Sequence, residues 1–270
     1  MESKGVRLDT YLVTAGYATG REKAKELLSA GYVTVNGTSV TKAAHKITDT
    51  DAVVCTAPLP KYVGRGGYKL ERAITGAGLT LDGVTAMDVG ASTGGFTDCM
   101  LQAGAARVYA VDVGRDQLHD RLRRDERVTV LEGTDVRSDQ LAQTVPVGSV
   151  DFCSVDVSFV SLSYVLPSIL PYLTATATLV CLIKPQFEAG KSAIGKHGVV
   201  KDRKVHARVL AEQLTLFGTC DLVPVWMGHS PITGGEGNIE YLAVLRRQGQ
   251  AAPAVIDPTA LVAAAFAELG

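Results

Sequence analysis

The sequence lacks any apolar run approaching the roughly 18 residues that a membrane-spanning helix needs. Its first residues, MESKGVRLDTYLV, contain no apolar segment of the kind found in signal peptides, so we expect a cytoplasmic protein with no membrane association. There are only five cysteines, widely spaced and without a C-x-x-C pair, which indicates reduced thiols rather than disulfides or a zinc site. His197 and His206 have no partners at ligand spacing, so no metal is expected.

Internal repeats and low-complexity tracts are also absent, and the composition is that of an ordinary globular protein. Of the 270 residues, 46% are apolar and 20% are charged, which is enough apolar material for a substantial core. The net charge of −1 conceals an asymmetry. Residues 1–80 contain 11 Lys and Arg against 7 Asp and Glu, a net charge of +4, whereas the remainder carries −5. A basic N-terminal part indicates a polyanionic partner.

The first part of the chain predicts a small α+β domain over residues 1–57. The amphipathic stretches RLDTYLVTAG and ATGREKAKELLSAG predict helices that end at Gly16 and Gly31. YVTVNGTSVTK predicts a hairpin that turns at Asn36-Gly37, and ITDTDAVVC predicts one further strand. Prolines and glycines in residues 58–68 then predict a linker into a second domain over residues 69–270.

In the second domain, apolar strands alternate with helical stretches. Seven strands are predicted, from VTAMDVG, RVYAVDVG, RVTVLEG, SVDFCSVDV, TLVCLIKP, DLVPVWMG and EYLAVLRR. Amphipathic stretches such as GGFTDCMLQAG and KVHARVLAEQLTLFG lie between most of them. This alternation predicts an α/β fold, a doubly wound and mostly parallel sheet with helices on both faces.

A glycine-rich turn follows the first of these strands, in MDVGASTGGFTDCML. The sequence is neither G-x-G-x-x-G nor a phosphate-binding P-loop, so a tight turn without a ligand remains an alternative. The next strand ends in Asp112, which is placed to bind the ribose hydroxyls of a nucleoside-containing cofactor. Asp135 follows the third strand, where it could accept from an adenine amino group or simply cap a helix.

Three motifs carry a resemblance to a known family. In order along the chain, D-V-G-A-S-T-G-G-F-T (Asp88 to Thr97), V-D-V-G-x-x-Q-L (Val111 to Leu118) and L-I-K-P-Q-F-E (Leu182 to Glu188) resemble the TlyA family of ribosomal RNA 2′-O-ribose methyltransferases, historically labelled haemolysins. The N-terminal part is similar to the small RNA-binding domain first described in ribosomal protein S-four. The remainder is similar to the FtsJ-like methyltransferases, whose fold is Rossmann-like. The resemblance implies S-adenosylmethionine as cofactor and ribosomal RNA as partner, with no obligate protein partner.

The resemblance also implies a catalytic tetrad of Lys69 in GGYKLERA, Asp156 in SVDVSFVS, Lys184 in LIKPQFE and Glu240 in GNIEYLAV. A ribose 2′-hydroxyl is a poor nucleophile and must lose its proton as it attacks, which a lysine can accept once it is unprotonated. Lys184 is the expected base, Lys69 supplies a neighbouring charge or orients the hydroxyl, and the two acids fix the amines. Taken singly, each residue is more often a capping or solvent-facing side chain, but the four matches together favour the tetrad.

Two further sets of residues are expected to bind ligands. The cofactor set implied by the resemblance is Asp88, Gly90, Ala91, Ser92, Gly94, Gly95, Phe96, Asp112 and Asp135. The RNA-binding set is Arg7, Arg21, Lys23 and Lys42 in the N-terminal domain, with Arg65, Arg137 and Lys191 nearer the cofactor. Residues 188–202 are rich in glycine and basic residues, and form either a lid over the RNA or an ordinary surface loop.

The expected function is methyl transfer from S-adenosylmethionine to a cytidine 2′-hydroxyl of ribosomal RNA. The resemblance implies the large-subunit RNA as substrate and leaves open whether the small-subunit RNA is a second one. One alternative is a catalytically inactive RNA-binding factor in ribosome assembly. Another is a membrane-lytic haemolysin, which the lack of a spanning or strongly amphipathic basic segment disfavours. A nicotinamide-dependent oxidoreductase fits the fold, but the sequence offers no catalytic set for it.

Overall fold

The computed structural model describes residues 5–18, 20–58, 60–190, 193–195 and 197–270. The described residues form two compact units, one up to Arg65 and one from Gly66 onward. The boundary falls inside the linker predicted over residues 58–68.

The first unit packs two helices against short strands. Helix α1 spans Leu8–Thr14 and helix α2 spans Arg21–Ser29. The strands are β1 (Val6–Arg7), β2 (Val33–Val35), β3 (Thr38–Ser39), β4 (Lys46–Ile47) and β5 (Val53–Cys55). Strand β2 lies between β3 and β5, and β1 pairs with β4, all antiparallel. The core of this unit is formed by apolar side chains of both helices and β2, among them Leu8, Leu12, Ala24, Leu28, Val33 and Val35.

The hairpin predicted at Asn36-Gly37 is present, and both turn residues have the positive φ angles, 51° and 79°, that a tight two-residue turn needs. The strand predicted from ITDTDAVVC is present as β5, at the end of that stretch. Ile47, at its start, belongs to β4, which lies in a different sheet. The break between β4 and β5 has a local cause, because the Asp51 carboxylate accepts hydrogen bonds from the Thr48 backbone N–H at 2.7 Å and its hydroxyl at 2.9 Å. These bonds close a turn between the two strands.

The second unit contains a seven-stranded sheet in the order β11-β12-β10-β9-β6-β7-β8. Its strands are β6 (Thr85–Val89), β7 (Arg107–Asp112), β8 (Val128–Glu132), β9 (Val150–Val155), β10 (Leu173–Ile183), β11 (Leu222–His229) and β12 (Tyr241–Arg247). Strand β12 is antiparallel to both its neighbours, and the pairs among the other strands are parallel. The mostly parallel α/β sheet predicted from the sequence is therefore confirmed, with all seven predicted strands present.

The helices of this unit are α3 (Gly66–Gly76), α4 (Gly95–Gln102), α5 (Asp120–Arg123), α6 (Leu162–Ile169), α7 (Pro185–Glu188), α8 (Arg203–Thr219) and α9 (Pro258–Leu269). Strand β10, which lies between β12 and β9, is buried without a break from Ala177 to Ile183. A continuous apolar run of this kind is what a strand covered on both faces requires. The run ends where Pro185 opens α7, so Lys184 lies at the junction of strand and helix.

Candidate active site

Strand register brings Lys184 and Glu240 to the same edge of the sheet. Ile183, the last residue of β10, pairs with Tyr241, the first residue of β12. Lys184 follows the first of these residues and Glu240 precedes the second. Because the two strands are antiparallel, the end of one lies beside the start of the other.

The neighbouring parallel strands bring the glycine turn to this same edge. Val89 at the end of β6 pairs with Val155 at the end of β9, so Gly90 and Asp156 follow side by side. A Cβ on Gly90 would lie 2.5 Å from the Asp156 carbonyl oxygen, and the φ angle of Gly90 is +88°. Only glycine allows this turn to approach β9 so closely.

The four residues of the expected tetrad lie together as two ion pairs. Lys69 of α3 contacts Glu240 with Nζ and Oε2 2.6 Å apart, and Lys184 contacts Asp156 with Nζ and Oδ1 2.6 Å apart. The side chains are 10%, 2%, 9% and 18% exposed in that order. Buried ion pairs cost substantial desolvation and are weak contributors to stability, so two of them beside a cavity indicate a functional role.

Further polar contacts hold these pairs. Lys184 Nζ donates to the Ser158 hydroxyl at 2.9 Å, and Gln186 Nε2 donates to Glu240 Oε1 at 3.4 Å. Among the described residues, Asp156 Oδ1 has no aligned hydrogen-bond donor, so its contact with Lys184 is electrostatic. The arrangement leaves acceptor capacity on the carboxylate that faces the cavity.

A cavity of about 980 Å³ opens over the tetrad. All four tetrad residues line it, together with the aromatic side chains Phe159, Tyr164 and Phe187. A space of this size and chemistry can hold a nucleotide, because bases bind to aromatic faces and ribose hydroxyls to charged groups.

A second cavity of about 380 Å³ adjoins the first. The residues that line both are Arg137, Asp156, Ser158, Phe159 and Val160. Two ligands in these cavities would therefore meet at a shared wall that carries Asp156. That layout suits a transfer reaction between a cofactor and an acceptor.

The smaller cavity holds part of the expected cofactor set, namely Gly90, Ser92, Asp112 and Asp135. The Asp112 carboxylate accepts from the backbone N–H of Ser92 at 2.8 Å and from that of Gly114 at 2.6 Å. These bonds fix the carboxylate and leave it further lone pairs for ribose hydroxyls. The acid at the end of β7, the glycine turn and the apolar walls Val111, Val113 and Val136 fit a nucleoside such as that of S-adenosylmethionine.

The other expected cofactor residues lie beneath the turn. Asp88 is fully buried, and its carboxylate accepts from Thr97 Oγ1 at 2.7 Å and from Ser154 Oγ at 2.9 Å. Burial raises the pKa of Asp88 to about 7, despite these hydrogen bonds. A Cβ on Gly94 would collide with Leu122, which accounts for glycine there by packing. Ala91, Gly95 and Phe96 are buried around the start of α4.

Arg137 and Asp135 form an ion pair beside both cavities. The guanidinium donates from Nε and Nη2 to the two carboxylate oxygens at 2.6 to 3.1 Å. The Arg137 guanidinium holds the pKa of Asp135 below its usual range. Arg137, which is expected to bind RNA, therefore lies directly beside Asp135, which is expected to bind the cofactor.

The remaining basic residues differ in their surroundings. Arg7 and Arg21 both donate to the buried carboxylate of Asp9, at 2.9 to 3.1 Å, and their side chains are 45% and 58% exposed. Lys23 pairs with Glu26 at 2.8 Å on α2. Lys42 and Arg65 are exposed. Lys191 lies outside the described residues.

Several cavity residues were not predicted from the sequence. Phe159 is 90% exposed, has a φ angle of +64° and lines both cavities. Tyr164 is 67% exposed, and Gln186 and Asn238 line the larger cavity. The only sequence signal was proximity, because Phe159 lies three residues after Asp156 and Gln186 two after Lys184.

Over the part of the chain that the structure describes, no helix is long and apolar enough to cross a membrane.

Comparisons with known proteins agree with this geometry. A family model described as FtsJ-like methyltransferase matches residues 62–247, and one described as S4 domain matches residues 6–53. Hemolysin A of Brachyspira hyodysenteriae is 41% identical over 88% of this chain and 98% of its own length. The 16S/23S rRNA (cytidine-2′-O)-methyltransferase TlyA of Mycobacterium tuberculosis is 40% identical over 91% of each chain. A solved structure of a hemolysin-like protein from Streptococcus thermophilus is 38% identical, with a TM-score of 0.78 over 98% of this chain and 96% of that one.

Proposed function

Because this chain belongs to the FtsJ-like methyltransferase family and carries an S4 domain, we propose that it methylates the 2′-hydroxyl of a cytidine in ribosomal RNA. The observation that carries the proposal is that the Lys69–Glu240 and Lys184–Asp156 pairs line the larger cavity and that Asp156 also lines the smaller one. Similarity to a relative named as a 16S/23S rRNA cytidine-2′-O-methyltransferase supports both the nucleotide and the ribosomal substrate.

The smaller cavity is the proposed site for S-adenosylmethionine, which when bound supplies a methyl group activated by a positively charged sulfur. Asp112 would accept from the ribose hydroxyls, and Asp135 from the adenine amino group. The glycine turn at Gly90 allows the cofactor to lie against the backbone. Asp88 supports the turn from below through its hydrogen bonds to Thr97 and Ser154.

The larger cavity is the proposed site for the acceptor nucleotide. Lys184 is the proposed base. In its unprotonated form, its Nζ takes the hydroxyl proton as the ribose oxygen bonds to the methyl carbon, and the bond between that carbon and the cofactor's sulfur would break. Asp156 and Ser158 hold that nitrogen at the shared wall. Lys69, fixed by Glu240, donates a hydrogen bond that orients the ribose. Much of the rate would come from this fixed alignment of donor and acceptor.

The S4 unit and the cations near the cavities are the proposed RNA contacts. Arg7 and Arg21 share Asp9, which fixes their position while leaving both partly exposed. Arg137 is the proposed contact closest to the acceptor, because it lines that cavity. We further propose that the protein works in the cytoplasm, where ribosomal subunits are found, and that the large subunit is its first target.

The test compares Lys184→Ala with Lys204→Ala, a lysine at the start of α8 that lies outside both cavities. Purified variants would be incubated with unmodified ribosomal subunits and S-adenosylmethionine carrying a tritiated methyl group. We expect Lys184→Ala to lose methyl transfer while binding S-adenosylmethionine normally by calorimetry, and Lys204→Ala to behave as the wild type. Mass-spectrometric mapping of 2′-O-methylcytidine, with and without the gene, would identify the nucleotide and the subunit.

Equal methylation by Lys184→Ala and the wild type would refute the role of Lys184 as base. A wild-type protein that binds subunits and does not methylate them would instead support a role as an RNA-binding assembly factor.

A further inference from the structure

Val200 is held by two side chains from other parts of the second unit. Its backbone N–H donates to Asn238 Oδ1 at 3.2 Å, and its carbonyl oxygen contacts His206 Nε2 at 2.8 Å. Val200 is 2% exposed. The backbone N–H and carbonyl oxygen of Val200 are therefore both hydrogen-bonded by side chains rather than by the backbone of a strand or helix.

Asn238 also joins two loops. Its Nδ2 donates to the carbonyl oxygens of Gly198 at 3.0 Å and of Gly235 at 3.1 Å. The Asn238 side chain is buried and uses both of its donor hydrogens and its oxygen in these contacts. Gly198, Gly235 and Asn238 itself all line the larger cavity. One side chain thus fixes two walls of the proposed acceptor site to each other.

The protonation state of His206 follows from its partners. A carbonyl oxygen only accepts, so Nε2 carries the hydrogen that is donated to Val200. Nδ1 is then the acceptor, and the Tyr241 hydroxyl donates to it at 2.8 Å. Burial lowers the pKa of His206 and raises the pKa of Tyr241, so both groups are neutral near pH 7. The imidazole is fully buried and packs edge-on against the Phe266 ring.

These contacts converge on the tetrad. Asn238 lies two residues before Glu240, and Tyr241 lies directly after it. Glu240 holds Lys69 at 2.6 Å, so the segment that anchors Val200 also positions one ion pair of the site. A shift of the wall at Gly198 would be transmitted to Glu240 through two hydrogen-bonded side chains on the same segment.

We infer that Asn238 and His206 are positioning residues that set the acceptor cavity by fixing residues 198–200 to the segment that carries Glu240. The inference rests on the proposed function in naming the larger cavity as the acceptor site. It predicts a defect in the use of RNA and not in the binding of S-adenosylmethionine, because none of these residues lines the smaller cavity.

The experiment uses the full-length protein and four substitutions. Asn238→Ala and His206→Leu remove the contacts to Val200, whereas His206→Gln retains an amide that can reach the position of Nε2. His229→Leu is the matched control, because His229 is also a buried histidine, on β11, and lines neither cavity. The measurements are kcat and KM with ribosomal subunits, the Kd of S-adenosylmethionine, and hydrogen exchange of residues 197–206.

Asn238→Ala and His206→Leu should lower kcat/KM for subunits by about 10- to 100-fold, since a misplacement of about 1 Å can cost that much. The Kd of S-adenosylmethionine should stay within about twofold, a change of under about 0.5 kcal/mol. The Val200 amide should exchange faster in both variants, and His206→Gln should recover most of the activity. His229→Leu should resemble the wild type in every measurement except melting temperature.

Wild-type kcat/KM in both variants would overturn the inference, as would a loss of cofactor affinity equal to the loss of turnover. If His206→Leu does not fold, Tyr241→Phe removes only the hydroxyl that donates to Nδ1 and should show the same pattern more weakly. If the wild-type protein methylates no subunit, the proposed function fails. In that case unchanged exchange at Val200 in Asn238→Ala would still refute the anchoring itself.

Discussion

The Lys69–Glu240 pair provides the sharpest quantitative test of the site. Glu240→Gln keeps the size of the side chain and removes its charge, which leaves the Lys69 ammonium nearly buried without a counterion. Removing one partner of a buried ion pair destabilises a protein by about 3–5 kcal/mol. Lys69→Met leaves the Glu240 carboxylate without its counterion in the same way, while the 3.4 Å bond from Gln186 remains. We therefore expect each single variant to unfold at a clearly lower urea concentration than the wild type.

The double variant Lys69→Met/Glu240→Gln separates the two contributions to this loss. It leaves no unpaired charge, so it should be more stable than either single variant, which requires a coupling between the sites larger than the loss of about 3–5 kcal/mol in each single variant. Methyl transfer should be lost in all three variants, because the proposed orientation of the ribose needs both the Lys69 ammonium and the Glu240 carboxylate that fixes it. The second substitution would then restore stability without restoring activity.

The control is the exposed Lys25–Glu22 pair on α2, whose Nζ and Oε1 are 2.7 Å apart. Exposed pairs contribute little to stability, so Glu22→Gln should leave the urea midpoint unchanged. Equal midpoints for Glu240→Gln and the wild type would refute the claim that this pair is desolvated. A double variant less stable than both singles would refute the claim that charge, rather than shape, holds the two residues together.

Three other predictions concern the smaller cavity and the buried acid below it. In Asp112→Asn, the side-chain NH2 group faces one of the two backbone N–H donors and cannot accept from it. Calorimetry should show S-adenosylmethionine binding weakened about tenfold, or about 1.4 kcal/mol, as expected for the loss of a hydrogen bond to a charged group. Gly90→Ala adds a Cβ 2.5 Å from the Asp156 carbonyl oxygen at a φ angle of +88°, and should lower both the melting temperature and methyl transfer; wild-type values would contradict the close approach. The pKa of Asp88 is raised from 3.8 to about 7, so its contribution to stability is fully present below pH 4 and is lost as the pH rises through 7. Asp88→Asn should therefore gain stability relative to the wild type between pH 5 and pH 8 in urea titrations, and a constant difference would show that Asp88 does not titrate in that range.

The sheet was predictable because each of its strands carries a local signal. Strand β10 ends in the apolar run Leu179–Ile183, and Asn36-Gly37 defines a hairpin without any tertiary information. The strand predicted from residues 47–55 is limited to Val53–Cys55, because side-chain bonds to Asp51 close a turn before it, and such bonds leave no mark on the apolar pattern. Local pattern therefore determines elements better than it determines where they end.

The tetrad was reached through resemblance rather than through pattern. Lys69 and Glu240 are 171 residues apart, and no local feature of either indicates the other. Phe159 and Asn238 were not predicted, because an exposed aromatic residue and a buried amide have no periodic signature. Their positions depend on loops that the strands bring together, which only the folded chain defines.

Lys184 shows how far the fold itself explains the chemistry. A buried strand that ends in lysine would usually direct the ammonium to water along the outside of the sheet. Here Pro185 starts α7 directly after Lys184, and the side chain is 9% exposed. The amine is instead held between Asp156 and Ser158, which follow the end of the neighbouring strand β9. Strand β9 pairs with both β10 and β6. One strand therefore lies between β10, which leads to the proposed base, and β6, which leads to the glycine turn that would hold the methyl donor. The parallel order of β6, β9 and β10 thus brings the proposed base and the glycine turn to one edge, and the antiparallel β12 follows the acid that contacts the second lysine.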